Sequence, residues 1–154
     1  TLTGGDAADS ILGGASDDLI TGGEGADTLT GGEGADTFVY AADATGITIE
    51  TADFITDFAT AADNIKTGVV GFTTDDVVIV DGEGPFSLAQ FISAAEAAFA
   101  TGDDVYVAFN FNSTADALVA INNNGGTTFT TGDSLIVLDG IDSVDKISAS
   151  NFIA

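Results

Sequence analysis

GGEGADTLTGGEGADTFVY, residues 22–40, is one nine-residue phrase written twice. Carrying the same frame toward the N-terminus finds two more copies. The units are GGDAADSIL (residues 4–12), GGASDDLIT (13–21), GGEGADTLT (22–30) and GGEGADTFV (31–39). Gly-Gly opens each one. The sixth place is always aspartate: Asp9, Asp18, Asp27 and Asp36. The eighth is always bulky and apolar: Ile11, Ile20, Leu29 and Phe38. Three constraints held in register through four successive units mark a structural repeat.

The first six places are turn chemistry. Paired glycines permit positive φ and close backbone approach. The last three, with one apolar residue in the middle, suffice for a minimal strand with a single inward side chain. Turn, strand, turn, strand closes one flattened coil of two units. Stacked coils stand about 4.8 Å apart, the spacing of neighbouring strands. Asp9 then falls beside Asp27, and Asp18 beside Asp36. Like charges at such spacing repel by about 1 kcal/mol per pair in water, and by more where water is excluded. A hard cation between the turns removes that repulsion. Calcium takes six to eight oxygens and mixes carboxylates with backbone carbonyls. Aspartate columns and glycine-rich turns offer both.

Composition points the same way. Two basic residues, Lys66 and Lys146, face 25 acidic ones, for a formal charge of −23. That balance excludes nucleic acid, whose binding depends on displacing counterions with positive charge. It also excludes an anionic membrane surface. Without cysteine or histidine, disulfides, thiolate sites and the usual zinc ligands are excluded. So are Ser-His catalytic arrangements. No apolar run reaches membrane-spanning length, and no basic segment leads into an apolar one as in a signal peptide. Methionine is absent, even at position 1, so the chain reads as a piece of a longer protein.

The four units resemble the RTX repeat, Gly-Gly-x-Gly-x-Asp-x-apolar-x. That resemblance implies a mainly β fold: a parallel β-roll, a calcium-stacked solenoid, with calcium between one turn and the next but one. One ion would join the first and third units, through Asp9 and Asp27 with carbonyls of Gly4, Asp6, Gly23 and Gly25. A second would join the second and fourth, through Asp18 and Asp36 with carbonyls of Gly13, Ala15, Gly32 and Gly34. The pattern departs from the family at its fourth place, where the first two units carry Ala7 and Ser16 instead of glycine.

Past the repeat, DFITDF (residues 53–58) resembles the Asp-x-Ile-x-Asp-Phe segment that follows the last repeat in RTX proteins. Asp53 and Asp57 are candidates to cap the last open turns, with Asp43 as a substitute. DNIKTG (63–68) matches the family's next segment only in part. PFSLAQFISAAEAAFATG (85–102) reads as the one helix. Ser87 and Gln90 form a capping box, Phe86 and Phe91 a hydrophobic staple, and Gly102 sits at the stop. Leu88, Phe91, Ile92, Ala95 and Phe99 share one face, suited to packing on a sheet. Strand-like runs follow, and NNNGG (122–126) reads as a hairpin signal. NST at Asn112 fits a glycosylation sequon, a pattern too common to weigh.

The expected organisation is a calcium-binding roll over residues 1–58 and a β-sandwich-like C-terminal cap with one helix over 59–154. The resemblance implies the C-terminal module of a protein exported from a Gram-negative bacterium by a type I secretion apparatus, secreted or held at the cell surface. It would fold on meeting calcium outside the cell. No catalysis is expected in this segment; any catalytic domain would precede it. The alternative is the end of a surface-layer or adhesin protein that self-assembles through calcium.

Overall fold

The computed structural model describes residues 1–40, 46–80, 87–109, 116–130 and 132–154. Asp43, Phe86 and Asn112 lie outside the described residues. The chain runs β1 (Leu2–Thr3), β2 (Ser10–Ala15), β3 (Leu19–Thr21), β4 (Thr28–Glu33), β5 (Thr37–Tyr40), β6 (Asp53–Ile55), β7 (Asn64–Thr67) and β8 (Val77–Val80). It continues with α1 (Leu88–Phe99), β9 (Val105–Phe109), β10 (Ala117–Ile121), β11 (Ser134–Leu138) and β12 (Phe152–Ile153).

Successive strands of the repeat alternate between two sheets, as the coil of two units requires. One sheet has five parallel strands in the order β1-β3-β5-β7-β12. The other has seven, β2-β4-β6-β11-β10-β9-β8, parallel from β2 to β11 and antiparallel through β11, β10 and β9. The fold is mainly β, a parallel β-roll with one α-helix among the described residues. Its interior is a ladder of single apolar side chains. Ile20, Phe38, Ile65 and Phe152 come from the five-stranded sheet and meet Leu29, Ile55, Ile136 and Leu138 from the other. Each eighth-place residue contributes one rung, and only Ile11, on the outermost coil, stays partly exposed.

The roll outlasts the nonapeptides. β6 and β7 form a third coil with longer connections, and β11 and β12 then add one parallel strand to each sheet. The C-terminal strands thus extend the roll's own two sheets. The outer face of β9, β10 and β11 is covered by α1. Phe91, Ala95 and Phe99 pack with Tyr106, Leu118 and Leu135, and the rings of Phe91 and Tyr106 stand 5.5 Å apart edge to face. The helix starts where its sequence says: the Gln90 N–H donates to Ser87 Oγ, and the Ser87 N–H donates to Gln90 Oε1. It ends before Gly102, at φ +105°. The hairpin expected from NNNGG joins antiparallel β10 and β11, but through a long loop and not a two-residue turn. Buried Asp133 holds that loop by accepting the Asn123 and Thr130 N–H groups.

Candidate calcium ladder

Two stacks of turns form the edges of the roll. On one edge, turn 4–9 lies on turn 22–27: the Gly4 N–H donates to Thr21 O, and the Glu24 N–H to Gly5 O, both at 2.9 Å. On the other, turn 13–18 lies on turn 31–36, and β2 and β4 stay paired through Gly14 and Gly32. The glycines are needed for contact as much as for conformation. A Cβ on Gly25 would overlap the backbone of Ala7, and one on Gly34 the backbone of Ser16. Gly23 and Gly32 abut the Gly5 and Gly14 carbonyls in the same way, while Gly4 and Gly13 abut those of Gly22 and Gly31. Ala7 and Ser16, the departures at the fourth place, each receive a fourth-place glycine from the coil below. One partner of each pair therefore remains glycine.

The aspartates form two columns, each tied by one repeated bond. The Asp9 N–H donates to Oδ1 of Asp27, 18 positions on, at 2.8 Å, and the Asp27 N–H to Oδ1 of Asp53, 26 positions on, at 2.9 Å. In the second column the Asp18 N–H donates to Oδ1 of Asp36, and the Asp36 N–H to Oδ1 of Asp63, both at 2.9 Å. Oδ1 of Asp27, Asp36, Asp53 and Asp63 is thus occupied by the preceding coil. The second oxygens differ. Oδ2 of Asp27, Asp36 and Asp53 is buried without any hydrogen-bond partner. A Cβ on Gly22 or Gly31 would strike Asp27 or Asp36 Oδ2 respectively, so these oxygens lie inside their own turns.

An unpaired carboxylate oxygen buried in a turn is costly unless a cation or donor meets it. Among the described residues no three acidic side chains converge as a metal shell. The turns therefore fit a hard cation whose remaining oxygens come from the backbone, and they do not fit a softer metal that selects imidazole or thiolate. Burial pushes the Asp27 carboxyl above the ordinary carboxylate range; the Asp9 charge adds to this and the Asp9 N–H opposes it. Burial lifts Asp53 further, to about 7.

The capping candidates divide. Asp53 occupies the sixth-place position of the third coil and continues a column. Asp57 instead clasps the glycine turn of the fourth unit: its Oδ1 accepts the Gly31 N–H and its Oδ2 the Gly32 N–H, both at 2.8 Å. Asp63 carries the other column, which sequence reasoning missed. Its signal was present, since Asp63-Asn64-Ile65-Lys66 repeats the form of Asp36-Thr37-Phe38-Val39. The offset of 27 in place of 18 concealed it. Asp63 Oδ2 accepts the Ala59 N–H at 2.8 Å, so neither of its oxygens is left over. Asp6 and Ala15 are exposed on the outer part of the turns.

The model of the RTX calcium-binding nonapeptide repeat matches residues 3–38, in four copies. The chain carries RTX repeats. Repeats of this kind bind Ca2+. The RTX roll also has solved counterparts. The solution structure of the AlgE6R3 subunit from the Azotobacter vinelandii mannuronan C5-epimerase is similar, with a TM-score of 0.55 and 25% identity, over 98% of this chain and 72% of that one. The AlgE6R2 subunit of the same epimerase matches in fold with a TM-score of 0.54 and 22% identity, over 98% of this chain and 90% of that one. No curated protein matches the sequence.

Proposed function

We propose that this chain is a calcium-triggered folding module at the C-terminal end of a bacterial exported protein. Residues 1–58 bind the metal and residues 59–154 close the roll. One ion is held between the first and third turns by Asp9 and Asp27 with carbonyls of Gly4, Asp6, Gly23 and Gly25. The other lies between the second and fourth turns, held by Asp18 and Asp36 with carbonyls of Gly13, Ala15, Gly32 and Gly34. Asp53 continues the first column, and Asp57 braces the turn of the second site. The reading rests above all on the buried, unpaired Oδ2 atoms of Asp27 and Asp36.

Charge gives the module its switch. At low calcium the columns repel, and one apolar side chain per nine residues is a small core for the backbone that must be ordered. Calcium at millimolar levels binds only the folded turns, so binding becomes folding free energy by mass action. A chain unfolded where calcium is scarce and folded where it is abundant suits passage through a type I secretion apparatus to the cell surface or medium. The C-terminal strand, as part of the export signal, would be drawn into the fold last. β12 pairs with β7, and the Asn151 Nδ2 group donates to Thr60 O and Asp63 O. The module itself carries no catalysis; it folds and delivers a preceding domain.

The test is far-ultraviolet circular dichroism with calorimetric calcium titration of the purified chain. Strand signal is expected to rise with calcium and fall with EDTA. D27N and D36N variants should each lose affinity at least tenfold. Identical spectra with and without calcium, and no heat of binding, would refute the reading.

A further inference from the structure

The repeat demands glycine at its first place because the aspartate of the same turn fills the space a side chain would need, as at Gly22 with Asp27 and Gly31 with Asp36. The first place of the third coil breaks this rule with Tyr40, one of the two tyrosines in the chain. Tyr40 closes β5, is 1% exposed, and turns its hydroxyl toward Asp53, with Asp27 also near, without closing a hydrogen bond. Asp27 Oδ2 and Asp53 Oδ2 are thus buried without a hydrogen-bond partner, and the neutral group turned toward Asp53 is the Tyr40 hydroxyl, which can donate or accept. The cross-strand neighbour of Tyr40, Thr67, holds another buried hydroxyl without a partner. Lys66, the nearest lysine in sequence, is exposed on the opposite face of β7.

We infer that Asp27, Asp53 and Tyr40 form a third calcium site, one rung beyond the repeats, in which a phenol oxygen does the work of a turn carbonyl. The inference rests on the calcium ladder proposed above and extends it past the last nonapeptide. The backbone register supports it. β4 and β6 pair Thr28 with Phe54 and Leu29 with Ile55, so Asp53 stands to Asp27 as Asp27 stands to Asp9. Two carboxylates and a neutral hydroxyl suit a hard divalent cation, which prefers oxygen and tolerates irregular geometry. The other edge offers no such rung. There Asp63 spends both oxygens on the Asp36 and Ala59 amides, and Asp57 spends both on Gly31 and Gly32. The ladder should therefore be asymmetric, with two ions on the Asp53 edge and one on the Asp63 edge.

The chain has no tryptophan, and its other tyrosine, Tyr106, packs under α1 in the second apolar cluster. This makes the site readable with terbium, which occupies calcium sites and emits when a nearby tyrosine is excited. With the full 154-residue chain, terbium emission excited through tyrosine should fall at least tenfold in Y40F and survive in Y106F. Calcium titration should give three ions for the unaltered chain and two for D53N, and Y40F should weaken one of the three about tenfold. Circular dichroism of calcium-loaded D53N and Y40F confirms that each variant folds. Two ions in the unaltered chain, unchanged by D53N, with Y40F affinities equal to the original, would overturn the third site and leave the repeat sites standing. No bound ion at all would overturn both.

Discussion

Asp57 sits across the amide of Gly31, accepting its N–H at 2.8 Å, and its second oxygen takes the next amide, that of Gly32. A carboxylate from the third coil thereby holds open a glycine turn of the second, a role calcium cannot fill because both donors are N–H groups. Hydrogen bonds to a charged group contribute about 1.5–3 kcal/mol each when partly shielded from water. Asp57→Ala should cost about 1–3 kcal/mol of stability after relaxation and re-solvation of the exposed turn. Urea unfolding of the calcium-loaded chain should show the loss, with the number of bound calcium ions unchanged. Loss of a bound ion in this variant would mean that Asp57 is a ligand.

Gly34 and Gly140 both have positive φ, at +140° and +72°, but only Gly34 lies against another turn. A Cβ at Gly34 would come 2.6 Å from the Ser16 carbonyl carbon, whereas one at Gly140 would meet nothing. Gly140→Ala should carry only the conformational penalty, about 1 kcal/mol. Gly34→Ala should push the stacked turns apart and lower calcium affinity at least tenfold. Calcium titration of the two variants separates contact from conformation.

Without calcium, Asp53 sets a pH dependence. Burial holds its carboxyl at about 7, above the ordinary carboxylate range. The folded state therefore binds this proton more tightly than the unfolded state. Its stabilising contribution is complete below the unfolded value and is lost as pH rises through the folded one. Circular dichroism in EDTA should show strand signal falling as pH rises from 4 toward 8, with a shallower fall in Asp53→Asn. Calcium should reverse the trend, since it binds the ionised carboxylate.

The Asn151 side chain reaches two carbonyls of the third coil, Thr60 O at 2.8 Å and Asp63 O at 3.0 Å. Its amide donates to both. Asn151→Asp turns a donor into a like-charged oxygen and should release β12 from β7. Hydrogen exchange at Ile65 and Lys66 should accelerate at least tenfold in this variant. Asn151→Ala should cost about 1–3 kcal/mol, since it leaves buried acceptors unpaired.

The period of nine, the aspartates at its sixth place, the apolar rung at its eighth and the capping box at Ser87 were all legible in the chain. Each depends on residues close in sequence, and an unvarying coil length turns that local pattern into register. From Tyr40 onward the offset between stacked aspartates lengthens to 26 on one edge and 27 on the other, and register passes to long-range pairing. Only the tertiary structure decided that Asp53 and Asp63 continue the columns, that Asp57 braces a turn, and that β11 and β12 grow from the roll's own sheets. The physical reason is that parallel strands are aligned by backbone bonds to whichever neighbour the fold brings beside them, and no local spacing records which neighbour that is.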